Sequence, residues 1–196
     1  MTKALAIIRD EHRAIAAVLQ GLRYLVDEAG AGRIAPDFDL IDAMLRYIED
    51  FPDRLHHQKE DACLFPAVLA RRPDLRPVVD ELEREHAEGR RATDSLKRAL
   101  AAFRAEGSPG EPAFAAALAR YIDFHWKHMA KEEQQIMPAA EEALTPQDWA
   151  SIDAAFAANA DPLAGSDASR EMRELFRRIA NLAPPPIGIG PDARKP

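Results

Sequence analysis

Two stretches of the sequence repeat one arrangement of chemically demanding residues. His56-His57-Gln58-Lys59-Glu60 leads on to Pro66, and His128-Met129-Ala130-Lys131-Glu132 leads on to Pro138. In each, Lys stands three, Glu four and Pro ten residues after the first His. A spacing of four sets His and Glu one turn apart on a single helix face, where they can grip one metal or bridge two. Burying such faces without a compensating charge is costly, so they constrain how the helices that carry them can assemble.

The rest of the chain reads as helix, with no strand-like alternation. A first helix is expected from Thr2 to Glu28, with Leu5, Ile8, Ile15, Leu19, Leu22 and Val26 as its apolar stripe and His12 standing on that line. A second runs from Asp37 to Ala70, bent near Pro52. A third runs from Pro77 to Arg104, its stripe of Val79, Leu82, Thr93, Leu96, Leu100 and Phe103 interrupted by His86. A fourth covers Ala113 to Glu142. Short connections between long helices point to an all-α, up-down-up-down four-helix bundle over residues 1–142. A C-terminal extension, 143–183, is expected to add two short helices. One has Thr145 as N-cap, Pro146 at its first position and Trp149, Ile152 and Phe156 on one face; the other spans Ser169 to Asn181. Residues 184–196 form a Pro/Gly-rich tail unable to be helical.

Asp10-Glu11-His12-Arg13 is echoed by Arg84-Glu85-His86-Ala87, and His12 precedes His56 by 44 residues as His86 precedes His128 by 42. Two copies of one helical hairpin would therefore bring four imidazoles and two carboxylates together. One half-site is His12, His56 and Glu60; the other is His86, His128 and Glu132. Cys63 is the single cysteine, so any metal must be held by His and carboxylate. That donor set suits iron or manganese. Shared carboxylates would hold two ions roughly 3.5–4 Å apart.

Other polar residues near the pattern carry open roles. His57 can pair with Asp61, add a bond to the metal, support a ligand from outside or face solvent. His125 and Tyr121 lie on the face of His128 and either line the cavity, donate to a bound ligand, add a coordination bond or pack structurally. Glu11, Glu85, Asp61 and Glu133 are expected beside the ligands as acceptors or as solvated charges. Cys63 is expected to be a buried, inert thiol.

On these residues the chain resembles the hemerythrin-like, or HHE cation-binding, family. The likeness covers about residues 1–142 through His12, His56-x-x-x-Glu60, His86 and His128-x-x-x-Glu132. It implies a four-helix bundle with two non-haem iron ions per chain, ahead of manganese or zinc. It also implies binding or sensing of dioxygen, nitric oxide or peroxide at an open iron position. Oxygen-carrying members have a further His four residues after the third-helix ligand; here that residue is Arg90. The departure leaves more positions for water or small molecules, unless His125 fills one, and disfavours a carrier role. Arg90, if it points inward, would stabilise an anionic ligand. The alternatives are a di-iron peroxidase, oxidase or nitric oxide reductase, with an electron-donor protein as partner, iron storage or delivery for iron–sulfur repair, and a structural zinc or metal-free site.

Composition narrows the partners. The formal net charge of -7 argues against nucleic acid, and no apolar run is long enough to span a membrane. The N-terminus lacks the apolar core of a signal peptide, so cytoplasm is the expected location, as monomer or homodimer.

Overall fold

The computed structural model describes residues 2–158, together with Arg177 and Asn181. The second accessory helix and the Pro/Gly-rich tail expected from the sequence lie outside that range, apart from those two positions. Among the described residues the fold is all-α.

Four long rods carry the structure. The first, α1, is Lys3–Gly30. The second, α2, covers 38–71 and changes its winding four times along its length. An α-helix at Phe38–Ile48 gives way to a π-helical stretch at Glu49–His56, one α turn at His57–Lys59, a second π turn at Glu60–Leu64 and an α-helix at Phe65–Arg71. The third rod, α3, is a regular α-helix over Arg76–Glu106, ended by Gly107 at φ 71°. The fourth, α4, covers 111–143 and is α-helical at Glu111–Lys131 and Met137–Ala143 around a π turn at Glu132–Ile136. Among the described residues, no helix is long and apolar enough to cross a membrane.

The π turns have a cause in the sequence. A proline ring lacks an N–H and crowds the carbonyl of the preceding turn. Just before Pro66 the N–H of Phe65 reaches back five residues to the carbonyl of Glu60, and just before Pro138 the N–H of Met137 does the same to Glu132. The wider turn relieves the crowding, and it opens at the glutamate of each repeat. Pro52, near which a bend of the second helix was expected, sits inside a π-helical stretch whose closing bond runs from the His57 N–H to the Pro52 carbonyl.

Two apolar clusters fill the interior. One joins Ile15 to Val26 of α1 with Leu40 to Phe51, Leu96 to Phe103 and Phe114 to Met129. The other joins Leu5 and Ile8 from the start of α1 with Leu64 to Val68 from the end of α2, Val79 and Leu82 from the start of α3, and Ile136 to Ala140 from the end of α4. Starts meet ends, so consecutive rods run in opposite directions. The buried histidines, with Glu11, Glu60 and Glu132, occupy the layer between these clusters.

A fifth helix, α5 at Pro146–Ala157, closes the lower cluster with Trp149, Ile152 and Phe156. Thr145 and Asp148 form a reciprocal capping box at its start. Asp153 Oδ1 accepts the Ala4 N–H at 2.8 Å, satisfying an end group of α1 that the helix cannot. Because Phe156 is fully buried, Phe156→Ala should lower the stability of metal-free protein by about 3–5 kcal/mol in urea unfolding. A loss below about 1 kcal/mol would make α5 a loose appendage rather than part of the core.

Candidate metal centre

The six residues of the repeated pattern converge in the buried layer. His12, His56, Glu60 and Glu132 form one group of ligand atoms within 4.8 Å of each other, and Glu60, His86, His128 and Glu132 form a second. The sequence assigned Glu60 to one half-site and Glu132 to the other while allowing both to be shared; in the structure both carboxylates stand in both groups. Glu60 Oε1 lies 3.5 Å from His56 Nε2 while its Oε2 lies 3.6 Å from His86 Nε2. Glu132 Oε2 lies 3.3 Å from His12 Nε2 while its Oε1 lies 3.1 Å from His128 Nε2. Within each half-site the two Nε2 atoms face each other, at 3.3 Å for His12 and His56 and 3.1 Å for His86 and His128.

The other ring nitrogen of each histidine faces a carboxylate. His56 Nδ1 meets Glu11 at 2.6 Å, His12 Nδ1 meets Glu133 at 2.9 Å, His86 Nδ1 meets Asp61 at 2.7 Å and His128 Nδ1 meets Glu85 at 3.0 Å. The pairs obey the hairpin repeat. Glu11 precedes His12 and serves His56, as Glu85 precedes His86 and serves His128; Glu133 follows Glu132 and serves His12, as Asp61 follows Glu60 and serves His86. Glu85 is held in turn by Lys131 at 2.6 Å. A carboxylate at Nδ1 draws the proton to that nitrogen and leaves the Nε2 lone pair aimed at the centre.

These groups fit a bound cation. All four oxygens of Glu60 and Glu132 are buried, and none makes a hydrogen bond. With the imidazoles neutral, eight lone-pair donors converge with no proton donor between them, an arrangement that positive ions stabilise and that is otherwise costly. Protons are the competing cations. Burial opposes the charge on His128, but Glu132 and Glu85 outweigh it and push its pKa up to about 9. His12 and His86 are also raised, burial being overcome by Glu132 with Glu133 and by Asp61 with Glu132. His56 is lowered by burial despite Glu11. Burial and the charge of Glu132 push Glu60 well above the carboxylate range, whereas His128, His12 and His86 overcome burial to hold Glu132 well below it.

The remaining candidates separate. His57 is buried and lies against the second half-site, its ring 4.1 Å from that of His86; its sequence partner Asp61 is taken by His86. His125 is buried with Nε2 unpartnered, but it joins neither four-residue ligand group. It packs its ring between Tyr121 and Phe124, and burial pushes its pKa down to about 3. Tyr121 is turned to Thr93, with 2.8 Å between their hydroxyls. Arg90 does not point inward: the buried line of α3 runs through His86, Gly89 and Thr93, which leaves Arg90 exposed on the flank. Cys63, expected to be buried, is half-buried. Sequence reasoning passed over Asp53, whose side chain is buried and accepts a 3.1 Å bond from Thr93. The polar Thr93 on an apolar stripe was the signal that a buried acceptor had to face it.

The chain matches the family model described as hemerythrin HHE cation binding domain over residues 3–140. No curated protein and no solved structure matches it.

Metal ions require neutral imidazole, so they must displace the proton that His128 holds at neutral pH. Loading the metal-free protein with Zn(II) at pH 7 should release at least one proton per chain, and affinity should fall as pH is lowered. Calorimetric titrations in buffers of different ionisation heat measure this, and heats independent of the buffer would contradict it.

Proposed function

The chain belongs to the hemerythrin family of HHE cation-binding domains, and from that membership we propose that it is a di-iron protein that binds or senses dioxygen, nitric oxide or peroxide. The observation that carries this reading is the pair of shared carboxylates, each offering one oxygen to either half-site. His12 and His56 would hold one iron, His86 and His128 the other, with Glu60 and Glu132 between them. Iron bound there would supply coordination positions open to a small ligand and electrons for it.

The protein's own residues set access and rigidity. Glu11, Glu85, Asp61 and Glu133 fix the imidazole planes, so the donors need little rearrangement when a ligand arrives. The apolar clusters above and below keep bulk water from the layer. One approach runs to the His12 ring. A cleft of about 270 Å³ between α1 and α4 has His12 and Met129 in its lining, Ala16 and Ala130 among its walls, and Trp126 at its lip, 38% exposed. The alanines leave room for a molecule of two or three atoms to reach the His12 side of the centre.

Stopped-flow spectra of the Fe(II)-loaded protein mixed separately with dioxygen, nitric oxide and peroxide test the reading. One stoichiometric spectral change with at least one of them, without continued consumption, is expected; sustained turnover with added reductant would make the chain an enzyme instead. Ala130→Phe should slow ligand association by about tenfold or more while leaving the iron content unchanged. An unaltered rate would mean that the small ligand enters elsewhere.

A further inference from the structure

The second half-site has a third imidazole beside it. The ligand atoms of His57, His86 and His128 lie within 4.8 Å of one another, and all three residues are buried. Neighbouring residues of an α-helix point about 100° apart, so His56 and His57 would not ordinarily face one centre together. Here the wider π-helical winding of Glu49–His56 ends at His57, whose N–H bonds to the Pro52 carbonyl five residues back. Both rings lie inside at the end of that stretch.

His57 also shares the environment of the other imidazoles. Its Nδ1 faces a buried carboxylate, Asp53 Oδ1, at 3.7 Å; neither atom has a hydrogen-bond partner. The second oxygen of Asp53 is fixed by Thr93 Oγ1 at 3.1 Å, and Thr93 is backed by Tyr121. Each of the four imidazoles in the two half-sites has its Nδ1 hydrogen-bonded to a carboxylate at 2.6–3.0 Å, and His57 faces Asp53 in the same sense at a longer distance. The corresponding residue of the other hairpin is Met129, so the feature exists on one side of the twofold arrangement only.

We propose that His57 is a fifth imidazole ligand, joining His86 and His128 on one metal ion, with Asp53 and Thr93 orienting its ring. The proposal rests on the dinuclear reading given above. It makes the two ions unequal. The ion at His86, His128 and His57 has three imidazoles and two carboxylate oxygens, while the ion at His12 and His56 has two imidazoles and the same two carboxylates. The less saturated ion is the one beside the cleft that His12 lines, which assigns the small ligand to that side. His57 thereby does the work that Arg90, exposed on the flank of α3, cannot do.

Cobalt(II) substitution tests this without any activity measurement. In a paramagnetic cobalt protein each coordinated imidazole contributes one strongly shifted, exchangeable ring N–H proton resonance. The wild-type chain loaded with Co(II) should show five such resonances, and His57→Gln should show four. The variant should still bind one Co(II) with unchanged affinity and the second about tenfold or more weaker. Asp53→Asn should keep all five resonances but displace one of them, a change that a merely packed His57 ring would not give. Wild-type protein that binds two Co(II) and shows four resonances overturns the role of His57 and leaves the dinuclear reading standing; His57 then only stacks on His86. Wild-type protein that binds one Co(II) or none overturns both. The wild-type count decides the matter even if His57→Gln fails to fold, which circular dichroism would reveal.

Discussion

Two glutamates buried at the middle of the bundle, with no hydrogen bond to either carboxylate, set the terms for everything around them. A carboxylate in such a place is stable only if opposite charge comes to it. Four imidazoles do so from four different rods, and their own orientation depends on four further carboxylates at their outer nitrogens. The polar layer is thus organised in shells: lone pairs inside, ring protons next, acidic side chains outside. Apolar clusters on both sides hold the shells at fixed height, and α5 seals the lower one. Removing the central charges would leave a bundle with no reason for its histidines to stand where they do.

The helix backbone is adapted to the same end. In α2 and α4, the rods that carry the repeated His-x-x-x-Glu, a π turn begins at the glutamate and is followed by a proline. α3 and α1 supply one histidine each and stay regularly α-helical. The additional π-helical stretch in α2 has no counterpart in α4, and it is the place where the approximate twofold symmetry of the site breaks. Asymmetry of backbone becomes asymmetry of side chains, with His57 inside on one hairpin and Met129 on the other.

Much of this was legible in the sequence, because α-helical periodicity converts spacing directly into direction. His12 and His86 were identifiable as inward residues by the apolar stripes they interrupt, and the helix limits fell within two or three residues of those observed. Shared carboxylates were foreseen, but which oxygen of Glu60 and of Glu132 turns to which half-site was not, since that depends on how one hairpin faces the other. Nor was the burial of His57: counting at 100° per residue places it off the face of His56, whereas the structure buries both. The proline ten residues after each first histidine was visible as a repeat, yet its meaning as a marker of a widened turn needed the backbone. The direction of Arg90 was open in the sequence, and the backbone decides it: the buried line of α3 steps by three after His86, through Gly89, which leaves Arg90 exposed.

The central claim is that one pair of carboxylates serves two metal ions. Anomalous diffraction at the iron edge, from crystals of the Fe(II)-loaded protein, tests it most directly. Two separate iron peaks per chain are expected, one beside His12 and His56 and one beside His86 and His128, with Glu60 and Glu132 reaching both. A single peak, or two peaks that share neither glutamate, would contradict the account.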